Sequence, residues 1–426
     1  MIQTLRNAWR IPELRKKLLF TLLIIVLFRL GSAIPVPYID PEALANIFEQ
    51  YSSTLLGFAN VLSGGALSQA TLFALSITPY INASIIMQLL TVAIPSLERM
   101  VKEGGEEGQK KIASATRYLT VVLGMILGFT YYMMLRNNAL LSQTGVWPAI
   151  VIVLTFTAGT ALIMWLGEQI TEHGVGNGIS IILFAGIVSR GPSMIFSIYQ
   201  YFKSGTINIL GIIGIVVLAL AVVAFIVFMT NAERRVPVQY AKRVVGRKMY
   251  GGQSTHLPMK VNMSGVMPII FASSLLAFPG TIALFFNPEA GTFWAGFVRV
   301  FSQSHPVYMI LYVLLIFAFG FFYAAIQFNP IEVSNNLKKN GGFIPGFRPG
   351  KPTSDFLAKI LNKVTLVGSL FLAIVAIIPL IMGAFMGLNN IAIGGTSLLI
   401  VVGVALETVK QIEAQMLMRH YKGFLE

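Results

Sequence analysis

The feature that most constrains this chain is the gathering of its apolar residues into runs of about 20, each bounded by charge, proline or glycine. A helix rising about 1.5 Å per residue needs roughly that many to cross about 30 Å of hydrocarbon. Lipid supplies no partner for backbone N–H and C=O groups, so such runs are read as helices. The runs near 18–37, 74–95, 116–135, 147–167, 179–201, 206–229, 264–286, 306–328, 361–383 and 394–414 predict ten transmembrane helices. Over 426 residues the chain is 55% apolar and only 11% charged, far from the balance of a soluble globular domain.

Basic residues orient those spans, because short cytoplasmic loops carry the excess of Lys and Arg. Ten spans put both termini on one side, and that side receives 26 of the 31 basic residues. They lie in segment 1–17, in the loop after the second span, in loops 231–260 and 329–363, and in the tail 415–426 with the end of the last span. The other side has only Arg136, Arg190, Lys203 and Arg299, with Arg29 inside the first span. The expectation is a multi-pass protein with both termini cytoplasmic. A net charge of +14 would suggest nucleic acid on a soluble domain, but topology accounts for it here.

Met1 to Lys17 is basic and amphipathic, and the run that follows lacks a small-residue cleavage pattern, so a cleaved signal peptide is not expected. Five spans in each half, 18–201 and 206–414, permit an inverted repeat, because an odd count makes the second half enter from the opposite side. The stretch Leu55 to Leu72 is anomalous: it is apolar but interrupted by Ser63, Gly64 and Gly65. It reads as a half-inserted segment that doubles back before Ile77-Thr78-Pro79 opens a proper span. Such backbone is tolerated only inside protein or along a water-filled cavity.

Few residues could carry chemistry. The chain has no cysteine and four scattered histidines, so no thiolate or zinc site and no cofactor are expected. Arg29 can snorkel to the interface or serve a function. Glu407 and Lys410 sit three apart and can form a local pair. Gly174-Val175-Gly176-Asn177-Gly178 resembles a phosphate-cradling loop but lacks the preceding strand and the later acidic residue. It is read as a tight cytoplasmic turn, with Glu168, Glu172 and His173 on the wet side. No nucleophile and base set is present, so the chain is not expected to be an enzyme. Ile81 and Ile85 share one helix face, as do Ile179 and Leu183. Alone, such spacing means ordinary packing or lipid contact.

Five long strings together resemble the SecY family, the central subunit of the bacterial protein-conducting translocation channel. They are ITPYINASIIMQLL (Ile77 to Leu90), WLGEQITEHGVGNGISIILFAGIV (Trp165 to Val188), QSTHLPMKVNMSGVMPIIFASS (Gln253 to Ser274), NLKKNGGFIPGFRPG (Asn336 to Gly350) and GGTSLLIVVGVALE (Gly394 to Glu407). The resemblance covers essentially the whole chain. It implies an all-α polytopic membrane protein with ten transmembrane helices in two inverted five-helix halves around a central pore. Unfolded secretory polypeptide would cross there, and transmembrane segments would leave sideways into lipid. The family's apolar pore ring falls on Ile81, Ile85, Ile179, Leu183, Ile270 and Ile400. Leu183 departs from an all-isoleucine ring by losing the β-branch. A dry apolar collar disfavours ions without gripping a passing chain.

The resemblance also implies a plug near 57–67, including Phe58, Asn60, Gly64, Gly65 and Leu67, with the two glycines as its hinge. The second and seventh spans, backed by the third and eighth, would form a lateral gate. Ser180, Phe278 and Gln88 fall at positions of gate and signal selectivity. Arg243, Arg247, Lys248, Lys338, Lys339 and Arg348 would lie on cytoplasmic loops that receive the ribosome or the motor ATPase SecA. Basic side chains suit ribosomal RNA phosphates, although topogenic charge alone would place them there too. Gly and Pro at 341–352 argue for a fixed turn. SecE and SecG are the implied companions, with signal sequences, nascent polypeptide and lipid as further partners, in a bacterial cell membrane.

Overall fold

In the computed structural model the described residues are 2–40, 44, 60, 63–205, 208–240, 243–245, 248–250, 254–286, 300, 305–386 and 395–422. A helix occupies each of the ten apolar runs. The short α1 (Ile2–Arg10) precedes α2 (Pro12–Gly31). Then come α3 (Thr78–Ala93), α4 (Pro95–Glu103), α5 (Gly105–Asn137), α6 (Val146–His173), α7 (Gly178–Ser189), α8 (Gly191–Lys203) and α9 (Ile209–Asn231). The second half holds α10 (Met267–Phe286), α11 (Pro306–Gln327), α12 (Pro330–Lys339), α13 (Lys351–Met386) and α14 (Gly395–Lys422). Six of the described spans are long and apolar enough to cross a membrane unaided, and α3 joined to the start of α4 makes seven, bent by 104°. Helix α2 has four cations, Arg15, Lys16, Lys17 and Arg29, within its length.

Several ends differ from expectation for local reasons. Helices α5 and α13 begin ten or so residues before their apolar runs, because charged, helix-compatible turns continue them into water. The first span stops at Gly31, since Pro35 and Pro37 cannot extend it, and Ser32 to Asp40 runs on as turns. The fifth run breaks into α7 and α8 at Arg190, where Gly191 and Pro192 follow. Within the bundle, close approach replaces hydrophobic driving force. Gly124 and Gly128 of α5 face Thr157, Thr160 and Val153 of α6 at 3.5–3.9 Å from where a Cβ would sit. The hydroxyls of Thr157 and Thr160 on α6 donate back to carbonyls four residues earlier, so both find partners within the helix.

An all-α chain was expected, and the loops correct it. Strands β1 (Glu233–Tyr240) and β4 (Ser254–Lys260) form an antiparallel ribbon, with β5 (Gly342–Phe343) added at Gln239 and Tyr240. A smaller hairpin joins β2 (Arg243–Val245) to β3 (Lys248–Tyr250). The alternation in β1 points Val236 and Val238 inward and leaves Arg235 and Pro237 outside. Pro237 has no N–H to give, and β5 stops short of it, so its far edge is unpaired. The inward valines meet Met259, Ala324, Leu337, Ile344, Leu357 and Leu361, a core continuous with the ends of α11 and α13.

Candidate functional site

The turns from Ser63 to Ile77 occupy the place where the sequence anticipates a broken, half-inserted segment. Helix α3 has 16 residues, about 24 Å, too short to cross alone. The backbone of the turns is satisfied inside the protein: Val36 N donates to Ala70 O at 3.0 Å, and Leu72 N to Ile34 O at 2.9 Å. Asn60 Oδ1 accepts from Ser68 N at 3.0 Å, and the Tyr131 hydroxyl donates to Leu67 O at 2.6 Å. Leu67 and Asn60 are buried. Gly64 and Gly65 lie at φ of 68° and 89°, where L side chains are strained, so they form a tight turn. Phe58 lies outside the described residues.

The end of these turns joins an apolar cluster drawn also from α2, α3, α6, α7 and α14. It contains Ile24, Phe28, Phe73, Ile77, Ile163, Ile170, Leu183 and Ile400, with Ile81 and Ile179 packed against it. Phe28 and Phe73 stack with centroids 5.8 Å apart, an arrangement worth about 1 kcal/mol beyond area. The cluster therefore brings together four of the six expected ring residues, Ile81, Ile179, Leu183 and Ile400. Ile85 is buried one turn along α3, and Ile270 is half-buried on α10, both outside it. Val266, just before α10, packs against this cluster and against the main core of the second half.

The cluster is closed at one end by the glycine-rich turn. Asn177 caps α7, its Oδ1 accepting from Ile179 N and Ser180 N at 3.1 and 3.3 Å. Gly178 N donates to Thr171 Oγ1, and Val175 N to Thr21 Oγ1. This is a tight structural turn rather than a phosphate cradle, as expected. Beside it Arg117 Nε donates to Glu168 Oε1 at 2.7 Å, tying α5 to α6. Glu172 and His173 are exposed. Glu407 and Lys410 are both exposed and make no ion pair with each other within 4 Å.

Helix α10 touches α3 and α5, and α14 packs against α7, so the two halves meet on two sides of the cluster. Gln88 of α3 donates to Ser84 Oγ at 3.4 Å, and Ser180 is half-buried at the start of α7. Phe278 lies on α10.

At the loop end, Arg348 stands exposed on a turn anchored from both flanks. Thr353 Oγ1 donates to Arg348 O at 2.8 Å, and Ser334 Oγ of α12 to Gly350 O at 2.8 Å. Phe347 stacks on Phe356 at 4.0 Å. The fixed turn expected from Gly and Pro is present. Lys338 and Lys339 are exposed in the last turn of α12, where cations suit the helix C-terminus. Arg243 and Lys248 open the small strands β2 and β3, and Arg247 lies outside the described residues.

Arg29 was not legible as a partner-forming residue. Instead of reaching only outward, it contacts Gly64 O and Ser189 Oγ at 3.5 and 3.4 Å. Those partners are 35 and 160 positions away, a proximity no local pattern encodes.

The SecY family model matches residues 71–409. The protein translocase subunit SecY of Bacillus subtilis (strain 168) is 48% identical over 436 residues, covering all of both chains. Among solved structures, a SecY channel whose plug domain stabilises its closed state superposes with a TM-score of 0.68 at 19% identity, over 96% of each chain. The canine Sec61 channel of the ribosome–channel complex gives 0.63 at 19% identity, also over 96% of each. With the family model matched over most of its length and a relative 48% identical from end to end, the chain belongs to the SecY family.

Proposed function

We infer that the chain is the pore-forming subunit of a protein-conducting channel, a passive conduit for unfolded secretory polypeptide that also releases transmembrane segments sideways into lipid. The observation that carries this is the apolar cluster built from both halves, with Ile81, Ile179, Leu183 and Ile400 in it and the Ser63–Ile77 turns packed against it. An apolar constriction excludes ions by dewetting and offers a passing chain no hydrogen bond to hold. Ile85 and Ile270 complete the ring when the constriction forms around a substrate. The ten helices make two inverted five-helix halves, with both termini and the basic loops in the cytoplasm of a bacterial cell membrane.

In this reading the turn segment is the anchored end of a plug. The gate is the seam between α3 with α5 and α10 with α11, where Gln88 and Phe278 meet a signal sequence and Ser180 tunes its selection. The β1–β4 ribbon and the Arg348 turn, with Arg243, Arg247, Lys248, Lys338 and Lys339, receive SecA or the ribosome. SecE and SecG complete the assembly. The test is conductance of the reconstituted channel carrying Ile85→Asn or Ile400→Asn. Both are expected to raise ion leak and admit defective signal sequences; wild-type leak and selectivity in both variants would remove the ring assignment.

A further inference from the structure

Arg29 is the one cation inside the first span, and its surroundings explain why it is an arginine. Gly64 lies so close to α7 that a Cβ there would sit 2.8 Å from Ser189 Oγ and 2.9 Å from Gly186 O. Its positive φ independently favours glycine. Ser189 Oγ donates to Gly186 O at 2.7 Å, which leaves its lone pairs facing outward. The Arg29 guanidinium meets both Ser189 Oγ, at 3.4 Å, and the Gly64 carbonyl, at 3.5 Å. These contacts are long, at the outer limit of hydrogen bonding, so each is weak and easily broken. Three elements far apart in sequence converge here: the end of α2, the end of α7 and the tight turn that starts the Ser63–Ile77 segment. None of the ion pairs among the described residues involves Arg29. A cleft of about 380 Å³, lined by Val26, Leu30, Ser32, Gly65 and Gln69 among others, adjoins the guanidinium. The side chain has room to swing away.

We propose that Arg29 is a positioning residue that latches the Gly64 turn to α7 through Ser189, and so sets how readily the plug that this turn anchors moves. The inference rests on the plug reading of that segment. One terminal nitrogen, Nη1, serves both acceptors, its two N–H groups fixed in the guanidinium plane, whereas a lysine ammonium rotates freely and holds two directions less firmly. Weakness suits the role. A latch of two strong, buried charge-assisted bonds would resist opening, whereas two long, partly solvated ones yield readily.

The test measures resting ion leak and acceptance of defective signal sequences in proteoliposomes carrying the assembled channel. Arg29→Gln is expected to raise leak about tenfold, since it removes a charged donor to two acceptors. Ser189→Ala should give a smaller rise in the same direction. Arg29→Lys should restore part of the seal, which a purely packing role would not predict. Removal of residues 57–67 is the separate control for the plug. If the removal leaves leak unchanged, the plug reading fails. If it raises leak while Arg29→Gln and Ser189→Ala stay at wild type, the plug stands and the latch is wrong. In the shortened channel Arg29→Gln should add nothing; full additivity overturns the latch. Should Arg29→Gln fail to assemble, Ser189→Ala alone decides, because its wild-type leak would overturn the proposal.

Discussion

The turns from Ser63 to Ile77 and the strands from Glu233 to Lys260 are both non-helical, yet one is wrapped within the bundle and the other stands outside it. Inside, the turn backbone is satisfied by borrowed partners: the Asn60 amide, the Tyr131 hydroxyl and the backbone at Ile34 and Val36. Outside, β1 and β4 satisfy each other in register from Glu233↔Lys260 to Gln239↔Ser254. The difference teaches where each region is vulnerable. A borrowed partner is a single side chain and can be deleted by one substitution, while a ladder shares the load over many residues.

The largest expected effect comes from the tightest contact under the turns. Gly159 of α6 lies against the Leu72 carbonyl so closely that any Cβ would overlap it. Gly159→Ala must push the turn segment off α6, at a cost of about 3 kcal/mol. Gly214→Ala on α9, where nothing lies within 4 Å, is the matched control and should be neutral. Thermal unfolding of the two purified variants checks this. Equal melting temperatures would mean the turn segment is not seated on α6 in the folded channel.

Second comes Arg348→Glu, which reverses a charge on the rigid outer turn. Because Thr353 and Ser334 hold that turn through backbone carbonyls, the fold should survive. Motor-driven export into vesicles should fall about tenfold, as expected for charge reversal at a docking surface. Unchanged export would leave the loops with topogenic charge alone.

The two regions were also unequally legible. The anomaly at Ser63-Gly64-Gly65 stands out because apolar runs that contain glycine pairs cannot be uniform helices, and the structure has turns there. The SecY-like strings placed Ile81, Ile179, Leu183 and Ile400, which do come together. The strands of the outer loop were missed. Their alternation is only Val236 and Val238 against Leu257 and Met259, and Pro237 and Pro258 disguise it. Charge dominated that stretch and was read for orientation instead. Helix ends were misjudged wherever a charged turn continued a helix into water, as at the start of α5. The partners of Arg29 are a different case: they are set by tertiary packing, and a one-dimensional pattern reads only the interface nearby.

Tyr131→Phe is a gentler probe of the interior. It keeps the ring, which packs edge-on against Phe156 at 5.2 Å, and deletes only the hydroxyl that serves Leu67 O. Leaving that buried carbonyl without its donor should cost about 1.5 kcal/mol. Melting temperature and protease access to the turn segment report it. An unchanged value in both would show that Leu67 O finds another donor, and that the borrowed-partner account of the interior is incomplete.

Arg235→Ala is expected to do least. Arg235 Nε reaches Glu233 Oε1 at 2.7 Å on the outer face of β1, but the arginine side chain is 70% exposed and the carboxylate 31%. Water screens such a pair, and its contribution lies below about 0.5 kcal/mol. The inward residues of the same strand, Val236 and Val238, carry the packing. The melting temperature should therefore stay within about 1 °C of wild type. That outcome has a meaning beyond stability. If the outer charges of the ribbon hold nothing in place, they are free to meet an acidic partner, whereas a loss as large as that of Tyr131→Phe would show that they brace the sheet.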